Sequence, residues 1–68
     1  MFIDFAGMTI NTNFIVSIYK TNYTRNGKTF YDINIQLSIS SSVVKEMYNT
    51  EKEQETRFTE LTNILNTA

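Results

Sequence analysis

The dipeptide Asn26-Gly27 constrains this chain most, because it stands between two long runs rich in β-branched and aromatic residues. Asn-Gly at the centre of a β-hairpin supplies the two residues with positive φ that a type I′ turn requires. We therefore predict antiparallel strands over residues 14–23 and 29–39, joined by this turn. A two-residue loop also sets the register, since it places Tyr23 opposite Phe30 and every further pair follows.

Side-chain alternation in this register predicts one apolar and one largely polar face of the hairpin. The apolar face pairs Phe14 with Ile39, Val16 with Leu37, Ile18 with Ile35 and Lys20 with Ile33. The opposite face pairs Ile15 with Ser38, Ser17 with Gln36, Tyr19 with Asn34, Thr21 with Asp32 and Tyr23 with Phe30. A slip of one residue would destroy this division, which is typical of a half-buried antiparallel sheet.

Two shorter strands are predicted upstream and one candidate strand downstream. Residues 2–5 and 8–11 flank Ala6-Gly7, a second candidate two-residue turn, which would set Ile3 opposite Ile10. The type of this turn stays unassigned, because Ala is unfavourable at positive φ. A polar turn over residues 40–42 leads to residues 43–48, a candidate short edge strand. Neither of its alternate sets is cleanly apolar, so its inward face stays unassigned.

The C-terminal part is predicted to be a helix over about residues 51–66. Thr50 followed by Glu53 forms a capping box, and apolar residues then recur at helical spacing. That stripe consists of Phe58, Leu61, Ile64, Leu65 and Ala68. Because the first two turns hold no apolar residue, we expect the helix to contact the sheet only from about Phe58 onward.

These elements predict one α+β domain over residues 1–68. Its fold class would be a four-stranded antiparallel β-meander followed by one C-terminal α-helix (ββββα). No run approaches the length of a membrane span, and the start of the chain lacks the basic residues of a signal peptide. We therefore expect a soluble protein with no membrane partner.

Composition argues against catalysis. The chain has no Cys and no His, which removes thiol and imidazole mechanisms and Cys/His zinc sites. Both glycines are explained by turns, so no phosphate-binding loop can be built. The carboxylates at the helix start are explained by the helix dipole. We predict no enzymatic activity, no cofactor and no bound metal.

The polar face of the hairpin is the candidate interaction surface, because a single helix covers only one face of a sheet. Its residues are Ile15, Tyr19, Tyr23, Arg25, Lys28 and Phe30. Two other interpretations stay open, an aromatic ladder that only stabilises the hairpin and a platform that stacks nucleotide bases. Nucleic acid is not favoured, because a net charge of −1 is too balanced to indicate it.

Size predicts self-association. A chain of 68 residues buries only about 60% of the surface that its unfolded chain exposes, which leaves a domain marginally stable, and this one has no Cys for disulfides. A homodimer is the commonest closed assembly, and a higher homo-oligomer is the extension of the same idea. The aromatic face is favoured as the interface over an edge strand.

Several positions also match a known group of proteins. They are Gly7, Ile10-Asn11, Phe14-Ile15, Ile18, the alternation from Ile33 to Ile39, and Tyr48-Asn49-Thr50-Glu51-Lys52-Glu53. Over nearly its whole length the chain resembles small, mostly uncharacterised proteins of bacteriophages and mobile elements. Some of these inhibit host defence proteins or sequester signalling nucleotides. The resemblance implies a cytoplasmic binding protein that inhibits a host protein; the alternatives are a nucleotide or nucleic-acid binder and a structural subunit.

Overall fold

A computed structural model describes residues 1–39 and 42–67 of the chain. Its elements in order are β1 (Phe2–Phe5), β2 (Met8–Asn11), a 3₁₀ turn (Thr12–Phe14), β3 (Ile15–Arg25), β4 (Lys28–Leu37), β5 (Val43–Tyr48) and α1 (Glu51–Thr67). The class is α+β with antiparallel strands and one C-terminal helix, as predicted. The predicted turn at Ser40 and Ser41 and the apolar role of Ala68 lie outside the described residues.

The strands form two sheets, so the prediction of one four-stranded meander is wrong. β1 pairs with β2, while β3, β4 and β5 form a separate three-stranded sheet in that order. The bond from the Thr12 N–H to the Met1 carbonyl, at 2.9 Å, ends the pairing of the first sheet, and the chain then leaves it through the 3₁₀ turn. The Asn11 side chain accepts from the Asn13 N–H at 3.0 Å and so redirects the backbone. β3 therefore starts a new sheet instead of extending the first.

Both two-residue turns have positive φ at both central residues, which was predicted for Asn26-Gly27, whereas the type of the Ala6-Gly7 turn had been left unassigned. Asn26 and Gly27 have φ values of 54° and 76°, and Ala6 and Gly7 have 52° and 76°. Positive φ at both central residues is the mark of a type I′ turn, whose twist matches that of the strands. The N-terminal hairpin consequently has the predicted register, with Ile3 opposite Ile10.

The register of the long hairpin is confirmed over residues 17–25 and then shifts. Ile15 pairs with Leu37 instead of Ser38, which leaves Val16 as the extra residue of a β-bulge. The bulge reverses the predicted facing of these side chains. Ile15 packs against the core, although it was expected on the opposite face. Val16, expected in the core, is 61% exposed.

The core lies between the three-stranded sheet and a layer formed by α1 and the N-terminal hairpin. Its fully buried members come from β1, β2, β4 and α1 and form one cluster. They are Ile3, Phe5, Ile10, Ile33, Ile35 and Leu61. The hairpin and the helix therefore cover the same side of the sheet, and the burial of each such side chain contributes about 1.5 to 3 kcal/mol.

β5 takes a definite orientation that its own sequence left unassigned. Val44 lies opposite Ile35, and Glu46 lies opposite Ile33, so these β5 side chains share the core side of the sheet. Val44 and Tyr48 pack against the core cluster. The alternate β5 residues consequently point to the other side.

The helix start is capped as predicted. The Glu53 N–H donates to Thr50 Oγ1 at 3.1 Å, and the Thr50 hydroxyl donates to the Glu53 carboxylate at 3.1 Å. The helix ends at Thr67, close to the predicted end. Capping side chains satisfy backbone donors that the first turn of a helix leaves open.

Contact between α1 and the sheet begins earlier than expected, at Gln54. This side chain is buried, and its amide donates to the Asp32 carbonyl and to Asn22 Oδ1, both at 2.9 Å. The expectation that contact begins only at Phe58 is therefore wrong. A polar residue anchors the first turns through hydrogen bonds, which an apolar pattern cannot indicate.

Candidate binding face

The side of the three-stranded sheet that faces away from α1 is called the open face here. Register and alternation assign its residues from all three strands. They are Ser17, Tyr19, Thr21, Tyr23, Arg25, Lys28, Phe30, Asp32, Asn34, Gln36, Val43, Lys45 and Met47. Among the described residues, the core cluster and the side chains packed on it include none of these positions. The sheet thus presents one covered side and one uncovered side.

Aromatic rings lie on the part of the open face that is near the Asn26-Gly27 turn. The rings of Tyr23 and Phe30 stack with centroids 5.1 Å apart and planes inclined by 21°. Lys28 Nζ lies 5.3 Å from the centroid of the Phe30 ring, within the range of a cation–π contact. The Tyr23 hydroxyl donates to Met47 Sδ at 3.8 Å. These contacts hold the rings in place, while Tyr23 remains 43% exposed.

Charge is divided unequally between the two sides of the sheet. Arg25, Lys28 and Lys45 lie on the open face with Asp32 as the single acidic residue there, which makes this face +2. The rest of the chain is −3, so that the total is −1. The total charge is nearly balanced because the basic open face is offset by the acidic remainder of the chain.

A buried carboxylate lies in the middle of the open face. Asp32 has no exposed surface, and its Oδ2 is 3.7 Å from Lys45 Nζ. Neither carboxylate oxygen has a hydrogen-bond partner within the described part of the chain. Next to it, Asn34 Nδ2 donates to Thr21 Oγ1 at 2.9 Å. The polar centre of the face is thus surrounded by longer side chains.

Five of the six predicted surface residues are brought together on the open face. They are Tyr19, Tyr23, Arg25, Lys28 and Phe30. Ile15 is separated from them, because the bulge turns it towards the core. Sequence reasoning missed Lys45 and Met47, since β5 had no assigned face. The predicted pairing of Thr21 with Asp32 was the signal that could have added Asp32.

The open face has few groups for bond-making chemistry. No three acidic side chains of the described residues come together as a metal site. The one buried carboxylate of this face, Asp32, lies 3.7 Å from Lys45 Nζ and accepts no hydrogen bond from a hydroxyl of the described residues, so it is not placed to activate one as a nucleophile. Stacked rings, a thioether and surrounding cations are groups that recognise a surface by contact and charge.

A second polar cluster lies on the helix side and ties the N-terminal hairpin to the rest of the fold. The Glu46 carboxylate accepts a hydrogen bond from the Ala6 N–H at 2.6 Å and another from the Tyr48 hydroxyl. Arg57 Nε lies 3.6 Å from Glu46 Oε1, and its guanidinium donates to the Asp4 carbonyl. Burial, followed by the hydrogen bond and charge of Glu46, raises the pKa of Tyr48 well above its usual range. This cluster is structural, because it joins β1, β5 and α1.

An apolar groove lies at the end of the sheet away from the Asn26-Gly27 turn. It is lined by Phe2, Met8, Phe14, Leu37 and Ile39 among others. Phe2 is 65% exposed and Ile39 68%, so the apolar face predicted at this end of the long hairpin is not buried by the described residues. The bulge and the separate hairpin together leave these side chains at the surface.

No protein-family model matches this chain, and no curated protein or solved structure is detectably similar to it. The described residues include no helix that is both long and apolar enough to cross a membrane. We therefore argue function from the geometry and charge of the open face.

Proposed function

We propose that this chain is a small non-enzymatic binding protein of the phage type, which holds a host protein on its open face. By resemblance, the partner is a bacterial defence protein, which it meets in the cytoplasm and inhibits stoichiometrically. One observation carries the proposal: the uncovered side of the sheet combines exposed, stacked aromatic rings with a charge of +2.

The residue types of the open face support a protein partner. Tyr, Phe, Met and Arg are the residues enriched in the buried centres of protein interfaces. Tyr19 and Tyr23 are 41% and 43% exposed, and Met47 is 58% exposed, so each has area to lose on binding. The positive charge favours a partner with an acidic surface and accelerates its capture.

A nucleic-acid or nucleotide ligand is the second candidate, favoured by the same combination of cations and rings. The stacking of Tyr23 on Phe30 argues against it, because each ring already covers one side of the other. A base would have to separate the rings or use only their outer sides. A protein surface can contact the edges and outer sides of the rings together with the neighbouring cations, without separating the rings.

The test is capture from a lysate of the bacterial host on immobilised protein, with two variants in parallel. Tyr19→Ser combined with Phe30→Ser removes rings from the open face, whereas Thr56→Ala changes an exposed residue of α1. We expect one protein to be retained by the wild type and by Thr56→Ala but lost by the double variant. Purified, that protein should bind in a 1:1 ratio by calorimetry and lose its activity.

Titration with a fluorescent oligonucleotide of about 15 thymidines, at low and high salt, tests the alternative. Protein binding predicts weak association at both salt concentrations. Tight association that weakens steeply with salt would favour the nucleic-acid function, because each phosphate contact releases counterions. Retention of the same host protein by the double variant would contradict the proposed surface.

A further inference from the structure

We propose that a second copy of this chain pairs antiparallel with the outer edge of β3, around a two-fold axis at Thr21. The two three-stranded sheets would then form one continuous sheet. Within residues 1–39 and 42–67, β3 has a strand on one side only, since the sheet order is β3-β4-β5. Its other edge is available for pairing.

The edge of β3 lacks the devices that normally prevent such pairing. β3 is 11 residues long, residues 17–25 pair without a bulge, and the chain contains no Pro. Natural proteins usually guard edges with short strands, prolines, bulges or outward lysines. The one lysine inside this segment, Lys20, is drawn to the helix by an ion pair with Glu55 and by the Phe58 ring 4.9 Å away. The edge is therefore open for most of its length.

The hairpin geometry identifies the backbone groups that face outward. In a two-residue hairpin the residues that flank the loop, Arg25 and Lys28, form a hydrogen-bonded pair. Pairing alternates along an antiparallel ladder, so every second residue of β3 directs its N–H and C=O away from β4. These residues are Ile18, Lys20, Asn22 and Thr24. They offer a second strand a regular row of donors and acceptors.

The regular segment itself determines the register. Residues 17–25 are centred on Thr21, so a two-fold axis there pairs the whole segment and forms about eight backbone hydrogen bonds. Tyr19 then lies opposite Tyr23 of the second copy, and Lys20 lies opposite Asn22. No like charges meet, and aromatic pairs on opposite strands are favourable.

Charge argues against the other symmetric contact, in which two open faces meet. Each open face is +2, so a dimer through this surface would bring Arg25, Lys28 and Lys45 of both copies together. Edge pairing instead keeps both open faces on the same side and makes them continuous. The dimer therefore enlarges the surface that we propose for the partner and does not compete with it.

The helices leave room for the same arrangement. Gln54 reaches the Thr21 and Asp32 carbonyls on β3 and β4, and Arg57 Nε lies 3.6 Å from Glu46 Oε1 on β5, so α1 is centred over β4. With strands about 4.8 Å apart, the two helix axes would stand about 14 Å apart across the two-fold axis. The helices would therefore not clash, and the backbone pairing of β3 would hold the two copies together.

The test uses a single cysteine, because the natural chain has none. Thr21 would face its own copy in a non-hydrogen-bonded pair with Cα atoms about 4.5 Å apart, within reach of a disulfide. Under mild oxidation at micromolar concentration we expect Thr21→Cys to cross-link almost completely. The control Ser17→Cys lies about 27 Å from its copy in this register and should stay uncross-linked. Equal cross-linking of the two variants would overturn the proposal.

Light scattering after size exclusion supplies an independent measurement. The wild type should have twice the mass of one chain, and Phe30→Ser, which changes the open face on β4 but no residue of β3, should remain a dimer. Thr24→Pro removes one outward N–H and should give a monomer with an unchanged circular dichroism spectrum. A monomeric wild type, or a dimer that Thr24→Pro leaves intact, would refute edge pairing. Because Thr24→Pro leaves the open face unchanged, host-protein capture by this monomer separates the two proposals.

Discussion

Replacing Gln54 tests whether a buried amide holds the first turns of α1 on the sheet. Its Nε2 donates to the Asp32 carbonyl and to Asn22 Oδ1 at 2.9 Å, and approaches the Thr21 carbonyl at 3.5 Å. The side chain is 1% exposed, so water does not take over these contacts in the folded protein. Gln54→Ala removes the donor, and Gln54→Glu replaces it with a carboxylate that faces three oxygens.

The expected loss follows from the groups that remain without a donor. Leaving buried acceptors unsatisfied costs about 1 to 3 kcal/mol, and the better helix propensity of Ala returns a few tenths. We expect Gln54→Ala to lower the free energy of unfolding by about 2 kcal/mol. Gln54→Glu should cost more at neutral pH and recover as the pH falls, because a protonated carboxyl can donate again. A domain of this length has roughly 3 to 10 kcal/mol of stability in total.

Urea unfolding followed by far-ultraviolet circular dichroism measures both effects. With a slope of about 1 kcal/mol per molar urea, Gln54→Ala should lower the midpoint by about 2 M. Thr56→Ala, an exposed change in the same helix, should leave the midpoint nearly constant. Protein concentration is held fixed, since dimerisation would contribute to apparent stability. A midpoint for Gln54→Ala equal to that of Thr56→Ala would refute the anchoring role.

Three further predictions concern the turn and the helix-side cluster. Glu46→Ala should lower the free energy of unfolding by about 2 kcal/mol, because it leaves the Ala6 N–H and the Tyr48 hydroxyl without their acceptor and removes the ion pair with Arg57. Glu60→Ala, which affects Arg57 alone, should lower it clearly less in the same urea titration. Gly27→Ala should lower the free energy of unfolding, measured by thermal unfolding, by about 1 kcal/mol. The loss comes from backbone strain alone, because φ is 76° and an added Cβ meets no atom within 4 Å. The free energy of unfolding should fall as the pH rises above about 10, because the unfolded chain releases the Tyr48 proton there while the folded protein retains it. In Tyr48→Phe the free energy of unfolding should fall less steeply with pH over the same range.

Local chemistry was sufficient to predict the type of one turn, most of one register and the helix start. Asn26-Gly27 favours positive φ directly, and a two-residue loop leaves one way to pair its flanking residues. The positive φ of Ala6 could not be predicted in this way, because a residue with a Cβ disfavours it. The pairing over residues 17–25 followed, and with it five of the six candidate surface residues. The capping box located the first turn of α1 because its hydrogen bonds join residues three apart.

Long-range packing decided the features that the sequence did not show. The β-bulge at Val16 inserts one extra residue into β3, and no local sequence pattern requires it. As a result, Ile15 lies on the core side of the sheet and not on the predicted open side. The separation into two sheets depends on the packing of Ile3 and Phe5 against the apolar side of β4, which is more than twenty residues away in the chain. Such burial is a property of two surfaces meeting, which neither segment encodes alone.

Long-range packing also decided which residues form the open face. The orientation of β5 was undetermined until Val44 packed on the core, and only then did Lys45 and Met47 join the rings of the hairpin. The sequence by itself determined which residues alternate along each strand. Only the tertiary structure decided which alternate set is covered, because covering one side requires α1 and the N-terminal hairpin to pack there together. The basic, aromatic surface opposite them is the consequence.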